Sequence, residues 1–338
     1  MHGLMTQAKH PPAASNLGWF MLCMLALLAA NFAMNFSKIG VPFLDIQAYI
    51  AGNEATPFQW RCLMRPVFRV LLATFDPTFI AHLPKLTPEF LKDPLRLSYF
   101  LVNGSCIYMA MVFHWLAARA HFLERNSANL STLVFALVCY FVFVLNPNLG
   151  YLLPYDIPAL ALGGAGIWLV LSGRYLVATL MFPIAVLNRE TAFMVPVLLA
   201  CMAIRGQADK RAWPHVAVML LSWVVVKWAL AQAFKGAAEG SEIKLFYNVV
   251  TSIKPWQWPA LLPLLFMVVV SARAALSSER ERAIGTAAVA GFVALAVVAV
   301  IVETRAFGDL AHLFALCMSA ALVRSLSGPA PSPQRLSA

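Results

Sequence analysis

The stretch Asn188-Arg189-Glu190-Thr191 places a guanidinium and a carboxylate side by side between two uncharged apolar runs, residues 175–187 and 192–204. Inserting either charge at the centre of a membrane helix costs about 2.5–3.5 kcal/mol. Such a pair therefore sits in a polar turn at a membrane edge, or lines a cavity walled by protein. Three other stretches carry comparable groups. Residues 41–49 contain Asp45, Gln47 and Tyr49, and the same loop continues through Arg61 and Arg65. Pro154-Tyr155-Asp156-Ile157-Pro158 sends a carboxylate straight into an apolar run, and residues 302–309 contain Glu303 and Arg305. A carboxylate within hydrogen-bond reach of a hydroxyl can take its proton, and an arginine fork matches phosphate oxygens two at a time. Each stretch also has a plainer reading. Asp45 could cap a surface helix, Asp156 could answer a helix dipole, Arg61 and Arg65 could reach lipid headgroups, and Glu303 and Arg305 could pair within their loop.

The elements that must position these residues are membrane helices. The chain has 338 residues, 61% hydrophobic and only 12% charged, where a soluble domain carries about 25% charged residues. Repeated long apolar runs give an all-α, polytopic membrane bundle. Spans are expected at residues 17–37, 98–118, 130–146, 154–172, 175–188, 191–204, 214–235, 257–274, 283–303 and 308–325, about ten in all. The organisation is a tail over 1–16, one transmembrane domain over 17–325 and a second tail over 326–338. The first span is long for a signal peptide and is expected to remain. The only large connection, 38–97, carries amphipathic surface helices; the segment Pro66-Val67-Phe68-Arg69-Val70-Leu71-Leu72 turns Phe68, Leu71 and Leu72 inward. The runs 175–188 and 191–204 are short for full spans, so they are either two spans or a re-entrant hairpin.

Charge orients the bundle. The short even-numbered connections and the tails hold twelve Lys and Arg residues against five in the short odd-numbered ones, which puts both termini in the cytoplasm. Of fifteen acidic residues only Glu124, Asp209, Glu279 and Glu281 then face inward, so the polar chemistry gathers outside. The net charge of +10 is spread over helix ends as topology signals, which argues against a nucleic-acid partner. No cysteine pattern, HExxH, P-loop or GxGxxG is present. Lys227 is expected to snorkel between Trp223 and Trp228, and His114, near the inner end of the second span, has no partner at metal-ligand spacing and is expected to be structural. Trp213, Trp256 and Trp258 read as interfacial residues.

Taken together, an outward Asp45 after the first span, the segment Phe58-Gln59-Trp60-Arg61-Cys62-Leu63-Met64-Arg65-Pro66, the helix entry Pro154-Tyr155-Asp156-Ile157-Pro158, the turn Asn188-Arg189-Glu190-Thr191 and the late Glu303-Thr304-Arg305-Ala306-Phe307-Gly308-Asp309-Leu310 resemble bacterial GT-C-type integral membrane glycosyltransferases. The resemblance runs from about residue 40 to 315 and lies in order and sidedness more than in any one motif. It implies transfer of a sugar from a polyprenyl-phosphate carrier to a glycan, lipid or protein acceptor at the extracytoplasmic face of the bacterial inner membrane. By that resemblance Asp45 is the general base, and Gln47, Tyr49, Arg61, Arg65, Asp156, Asn188, Arg189, Glu190, Glu303 and Arg305 bind substrate. The family often pairs acidic residues where Asp45 stands alone, which leaves a divalent metal open; no other cofactor is expected. The partners would be the lipid-linked donor, the acceptor and membrane lipids. The alternative is a multispan transporter or flippase for a lipid-linked or small polar substrate. A polymerase-type assembly protein fits less well, because its large loop would come late in the chain.

Overall fold

The computed structural model describes residues 16–54, 58–122, 124–145, 151–235, 244–252, 254–299 and 303–327. The tail at 1–15, Val302 and most of the tail at 326–338 fall outside them. The described chain is an all-α bundle with one two-residue strand pairing. Seven helical segments are long and apolar enough to cross a membrane, so this is a multi-pass membrane protein. Its helices are α1 (Asn16–Ile39), α5 (Pro94–Phe122), α6 (Arg125–Tyr140), α7 (Asp156–Leu171), α8 (Tyr175–Asn188), α9 (Met194–Ile204), α10 (Ala212–Ala233), α12 (Trp258–Ala274), α13 (Glu279–Val298) and α14 (Ala311–Ser327). Between α1 and α5 lie the short helices α2 (Ile46–Ala51), α3 (Arg65–Thr74) and α4 (Pro77–Ala81), and α11 (Leu245–Ser252) precedes α12.

Each expected span has a helical counterpart, but several limits move. The second begins at Pro94 rather than 98 and runs on to Phe122, because a proline at the first helical position needs no hydrogen-bond partner for its missing N–H. Arg96 is drawn into that helix, where its Nη1 donates to the Ser37 carbonyl at 2.6 Å and ties the start of α5 to the end of α1. The third starts at Arg125 and passes into a π-helical turn, Phe141–Leu145. Helices α7, α8 and α9, with 16, 14 and 11 residues, are the short ones.

The first-loop helix forms as its pattern requires. Phe68 of α3 is fully buried, Leu71 and Leu72 pack against the core, and Val70 stays exposed. The parallel strands β1 (Val41–Pro42) and β2 (Tyr151–Leu152) clip this loop to the entry of α7.

Membrane helices gain little from hydrophobicity against lipid, so close packing and internal hydrogen bonds must hold them. Glycines supply the close approach. A Cβ at Gly164 of α7 would lie 2.6 Å from His312 Cε1, and one at Gly285 of α13 would meet the backbone of α12. His114 is a fully buried core residue with two polar neighbours. Its Nδ1 faces His312 Nδ1 at 3.2 Å and its Nε2 faces Ser131 Oγ at 3.0 Å. His312 Nε2 reaches the Leu160 carbonyl at 2.9 Å. That carbonyl can only accept, so the protons are assigned in sequence: Nε2–H on His312, Nδ1–H on His114, and the Ser131 hydroxyl donating to His114. One hydrogen-bonded line thus joins α6, α5, α14 and α7 through the core. The spacing within any one helix carries no sign of it.

Candidate functional site

Asp156 is fully buried in the first turn of α7, where the helix dipole favours a carboxylate. Arg189 follows the last residue of α8 in extended backbone, with φ −160° and ψ 135°, which turns its side chain away from the helix axis. Its Nη1 lies 3.4 Å from Asp156 Oδ1 and 3.2 Å from Asp309 Oδ2. Arg305, in the 3-10 turn Thr304–Leu310 before α14, spreads its fork over two carboxylates. Nη1 donates to Asp156 Oδ2 at 3.1 Å and Nη2 to Glu303 Oε2 at 3.1 Å. Glu303, Arg305, Asp156, Arg189 and Asp309 therefore form one continuous line of charge drawn from three distant parts of the chain. The Thr191 hydroxyl donates to Asp309 Oδ2.

Arg61 and Glu190 form a second unit. Nε donates to Oε2 at 3.1 Å and Nη2 to Oε1 at 2.7 Å, a bidentate pair. The Arg61 guanidinium lies 4.5 Å from the centre of the Tyr155 ring. Burial, the largest single influence, disfavours its charge, but Glu190, Tyr155 and Asp156 together hold its pKa well above the ordinary value. The fully buried Tyr49 donates its hydroxyl to the Arg61 carbonyl; burial, reinforced by Tyr155, pushes this phenol well up. Tyr49 thus braces the loop. Asn188, also fully buried, donates from Nδ2 to the Tyr155 carbonyl at 2.9 Å and joins the end of α8 to the entry of α7. The two units are linked through the Arg189–Glu190 and Tyr155–Asp156 peptides.

Depth follows from one hydrogen bond. Trp223 Nε1 donates to the Glu190 carbonyl at 2.9 Å, and Trp223 lies at the middle of the 22-residue α10, about 15 Å from either end. The turn between α8 and α9 is therefore recessed into the bundle rather than placed at its rim. The 3-10 turns Phe58–Trp60 and Cys62–Met64 of the first loop reach inward to meet it.

The remaining expected site residues stand apart. Asp45 is exposed and caps α2, its Oδ1 accepting from Gln47 N at 2.9 Å and Ala48 N at 3.2 Å. Its Oδ2 accepts no hydrogen bond among the described residues. Two residues earlier, the Phe43 ring packs 4.7 Å from the Tyr151 ring, which in turn lies 5.4 Å below the Arg305 guanidinium. Asp45 thus borders the network without joining it. Gln47 is exposed on the same short helix. Arg65 lies over the rings of Tyr49 and Phe234, at 5.5 and 5.0 Å. Lys227 does not extend between Trp223 and Trp228; its Nζ sits 3.9 Å above the Trp60 ring, because the first loop brings an indole closer than the helix's own tryptophans.

Three features suit this region to a ligand. Arg189 is within ion-pairing distance of two carboxylates yet in hydrogen-bond geometry with neither. Its Nε and Nη1, Asp156 Oδ1 and Arg305 Nε are buried without a hydrogen-bond partner among the described residues, and buried polar atoms of this kind mark water or ligand positions. A small, mainly apolar cleft between α7 and α9 is lined by Ala159, Leu162, Gly163 and Val195 together with Arg189, Thr191 and Asp309. Among the described residues no three His, Cys, Asp or Glu side chains converge as metal ligands; arginines separate the carboxylates.

Asp309, Thr191, Tyr151 and Tyr155 are members that residue-type reasoning did not select. Asp309 stands in the same motif as Glu303 and Arg305, and four-residue spacing from Arg305 was its available signal. Comparison of the chain with protein-family models, curated proteins and solved structures finds no match.

Proposed function

We propose that this protein is a membrane glycosyltransferase, taking a sugar from a polyprenyl-phosphate carrier and passing it to a hydroxyl acceptor at the extracytoplasmic face of a bacterial inner membrane. The observation that carries this is the recessed line Glu303–Arg305–Asp156–Arg189–Asp309, which ends beside an apolar cleft. Ion pairs buried this deeply return little net stability, since desolvation of the charges offsets their attraction. A chemical role accounts for keeping them.

Within this reading the side chains divide their work. Asp156, enclosed by two arginines, serves to aim Arg189 and Arg305 rather than to take a proton. The guanidinium groups face the phosphate and stabilise its charge as the glycosidic bond breaks. Asp45, exposed and with one oxygen uncommitted, accepts the acceptor's proton. No metal is required by this division of labour. The polyprenyl chain remains in the bilayer, where lateral access is available, and the first loop covers the reacting groups from the aqueous side.

A second reading, a transporter for a lipid-linked or polar substrate, draws on the depth of the network and on the shortness of α7, α8 and α9, since broken helices around a mid-membrane site suit alternating access. One preparation separates the two. Purified protein in proteoliposomes is given labelled polyprenyl-phosphate sugars with mixed glycan and lipid acceptors. Label in the acceptor together with released polyprenyl phosphate is the expected result. Movement of intact labelled donor between leaflets, with no transfer, would overturn the transferase reading in favour of transport.

A further inference from the structure

Charge counting in the site leads to a residue outside the network. Arg61, Arg189 and Arg305 face Asp156, Glu190, Glu303 and Asp309, three cations against four carboxylates. The arginines that face a phosphate are thus each shared with a carboxylate, and an anionic headgroup is held more firmly where a further cation stands beside them. Lys227 is that cation. Its ammonium has no carboxylate within ion-pairing distance among the described residues, because Arg61 already occupies both oxygens of the nearby Glu190. The Trp60 ring beneath it, at 3.9 Å, attracts the charge but accepts none of its three N–H hydrogens in the manner of an oxygen. Trp60 adds an unmet donor of its own, since its indole Nε1 is buried without a hydrogen-bond partner among the described residues. A half-buried ammonium and a buried, unpartnered indole N–H therefore stand side by side.

The direction of approach is set by α10. Val224, Val225 and Trp228 around Lys227 are exposed on the bundle's outer face, which in a membrane is the lipid-facing face. Lys227 lies six residues before the end of α10, about 9 Å inside it. A ligand that reaches it along this face is an amphiphile.

We propose that Lys227 and Trp60 form the headgroup subsite for a phosphate-bearing amphiphile that enters between α10 and the Phe58–Trp60 turn. Phosphate suits the pair because it offers several strong acceptor oxygens to a point-like ammonium. The subsite deepens the transferase reading by adding a cation beside the arginines, and it rests on that reading only for the identity of the natural lipid.

The test uses the full chain in nanodiscs of zwitterionic lipid, with dodecyl phosphate as the probe and Trp fluorescence and native mass spectrometry as readouts. Saturable binding is expected, weakened roughly tenfold or more in Lys227→Met and nearly retained in Lys227→Arg. Lys227→Met removes a charge from an apolar helix and favours insertion, and its melting temperature gives an independent check of folding. Trp60→Phe should keep most of the affinity and lose much of the fluorescence change. Inorganic phosphate at the same concentration should not compete. Equal binding by wild type and Lys227→Met would overturn the subsite, and full competition by inorganic phosphate would overturn the amphiphile as its ligand. Sugar transfer without this Lys227-dependent binding would remove the subsite alone, whereas binding without transfer would remove the enzyme reading alone.

Discussion

At the scale of single residues, Asp156 decides most. It is fully buried and meets two arginines from opposite sides. Asp156→Asn replaces a charge with a neutral amide and leaves both guanidinium groups short of a partner. Breaking a buried pair in this way costs about 3–5 kcal/mol, so thermal unfolding in detergent should show a clear drop in melting temperature. An unchanged melting temperature would mean that the network is solvated and contributes no structure. Arg305→Lys is not conservative here, because Arg305 reaches Asp156 and Glu303 with two different nitrogens that one ammonium cannot reproduce in the same geometry. A melting temperature close to wild type for this variant would show that the fork is dispensable.

At the scale of elements, the α7–α14 contact sets the site's register. His312 lies three residues after Asp309 and bonds to the Leu160 carbonyl, four residues after Asp156. Gly164 makes room for the imidazole. Gly164→Ala places a methyl 2.6 Å from His312 Cε1 and should cost about 1–3 kcal/mol through overpacking. Its neighbour provides the control: nothing lies within 4 Å of a Cβ at Gly163, so Gly163→Ala should be neutral or slightly stabilising in a helix interior. Comparable melting temperatures for the two variants would show that the register does not depend on this contact.

The same elements show what was readable beforehand. The helices are plain from their apolar runs, and the tetrad at 188–191 stands out because Arg and Glu interrupt such a run. The motifs around Asp156 and Arg305 are visible as charges at helix entries. Their partnership is not, because it spans 149 residues and depends on which helices pack side by side. The seats of Lys227 on Trp60 and of Arg305 on Tyr151 have no fixed spacing, and the His114–His312 pair crosses 198 residues. Asp45 looked like the leading chemical group from its position, and the structure reveals the cap that its local sequence also allowed.

At the scale of the whole molecule, the proposed orientation, drawn from the charge pattern along the chain, puts the first-loop face of the bundle outside the cytoplasm. Leu86, in the first loop, is 96% exposed, and Leu276, between α12 and α13, is 83% exposed. In a cysteine-free background, Leu86→Cys should react with a membrane-impermeant maleimide in cells with permeabilised outer membranes. Leu276→Cys should react only after the inner membrane is opened. The reverse pattern would invert the bundle and place the charge network's loop side in the cytoplasm.

The proposed reaction is measured directly as sugar transfer from labelled polyprenyl-phosphate donors by wild type, Asp45→Asn and Asp45→Ala in proteoliposomes, each paired with its melting temperature. Asparagine caps a helix about as well as aspartate, whereas alanine at a cap costs about 1 kcal/mol, so the two variants separate structure from chemistry. Transfer by the wild type is expected, with its loss in both variants and an unchanged melting temperature for Asp45→Asn. Transfer by Asp45→Asn at the wild-type rate would contradict the role given to Asp45, and a wild type that releases no polyprenyl phosphate from any donor would contradict the proposed function itself.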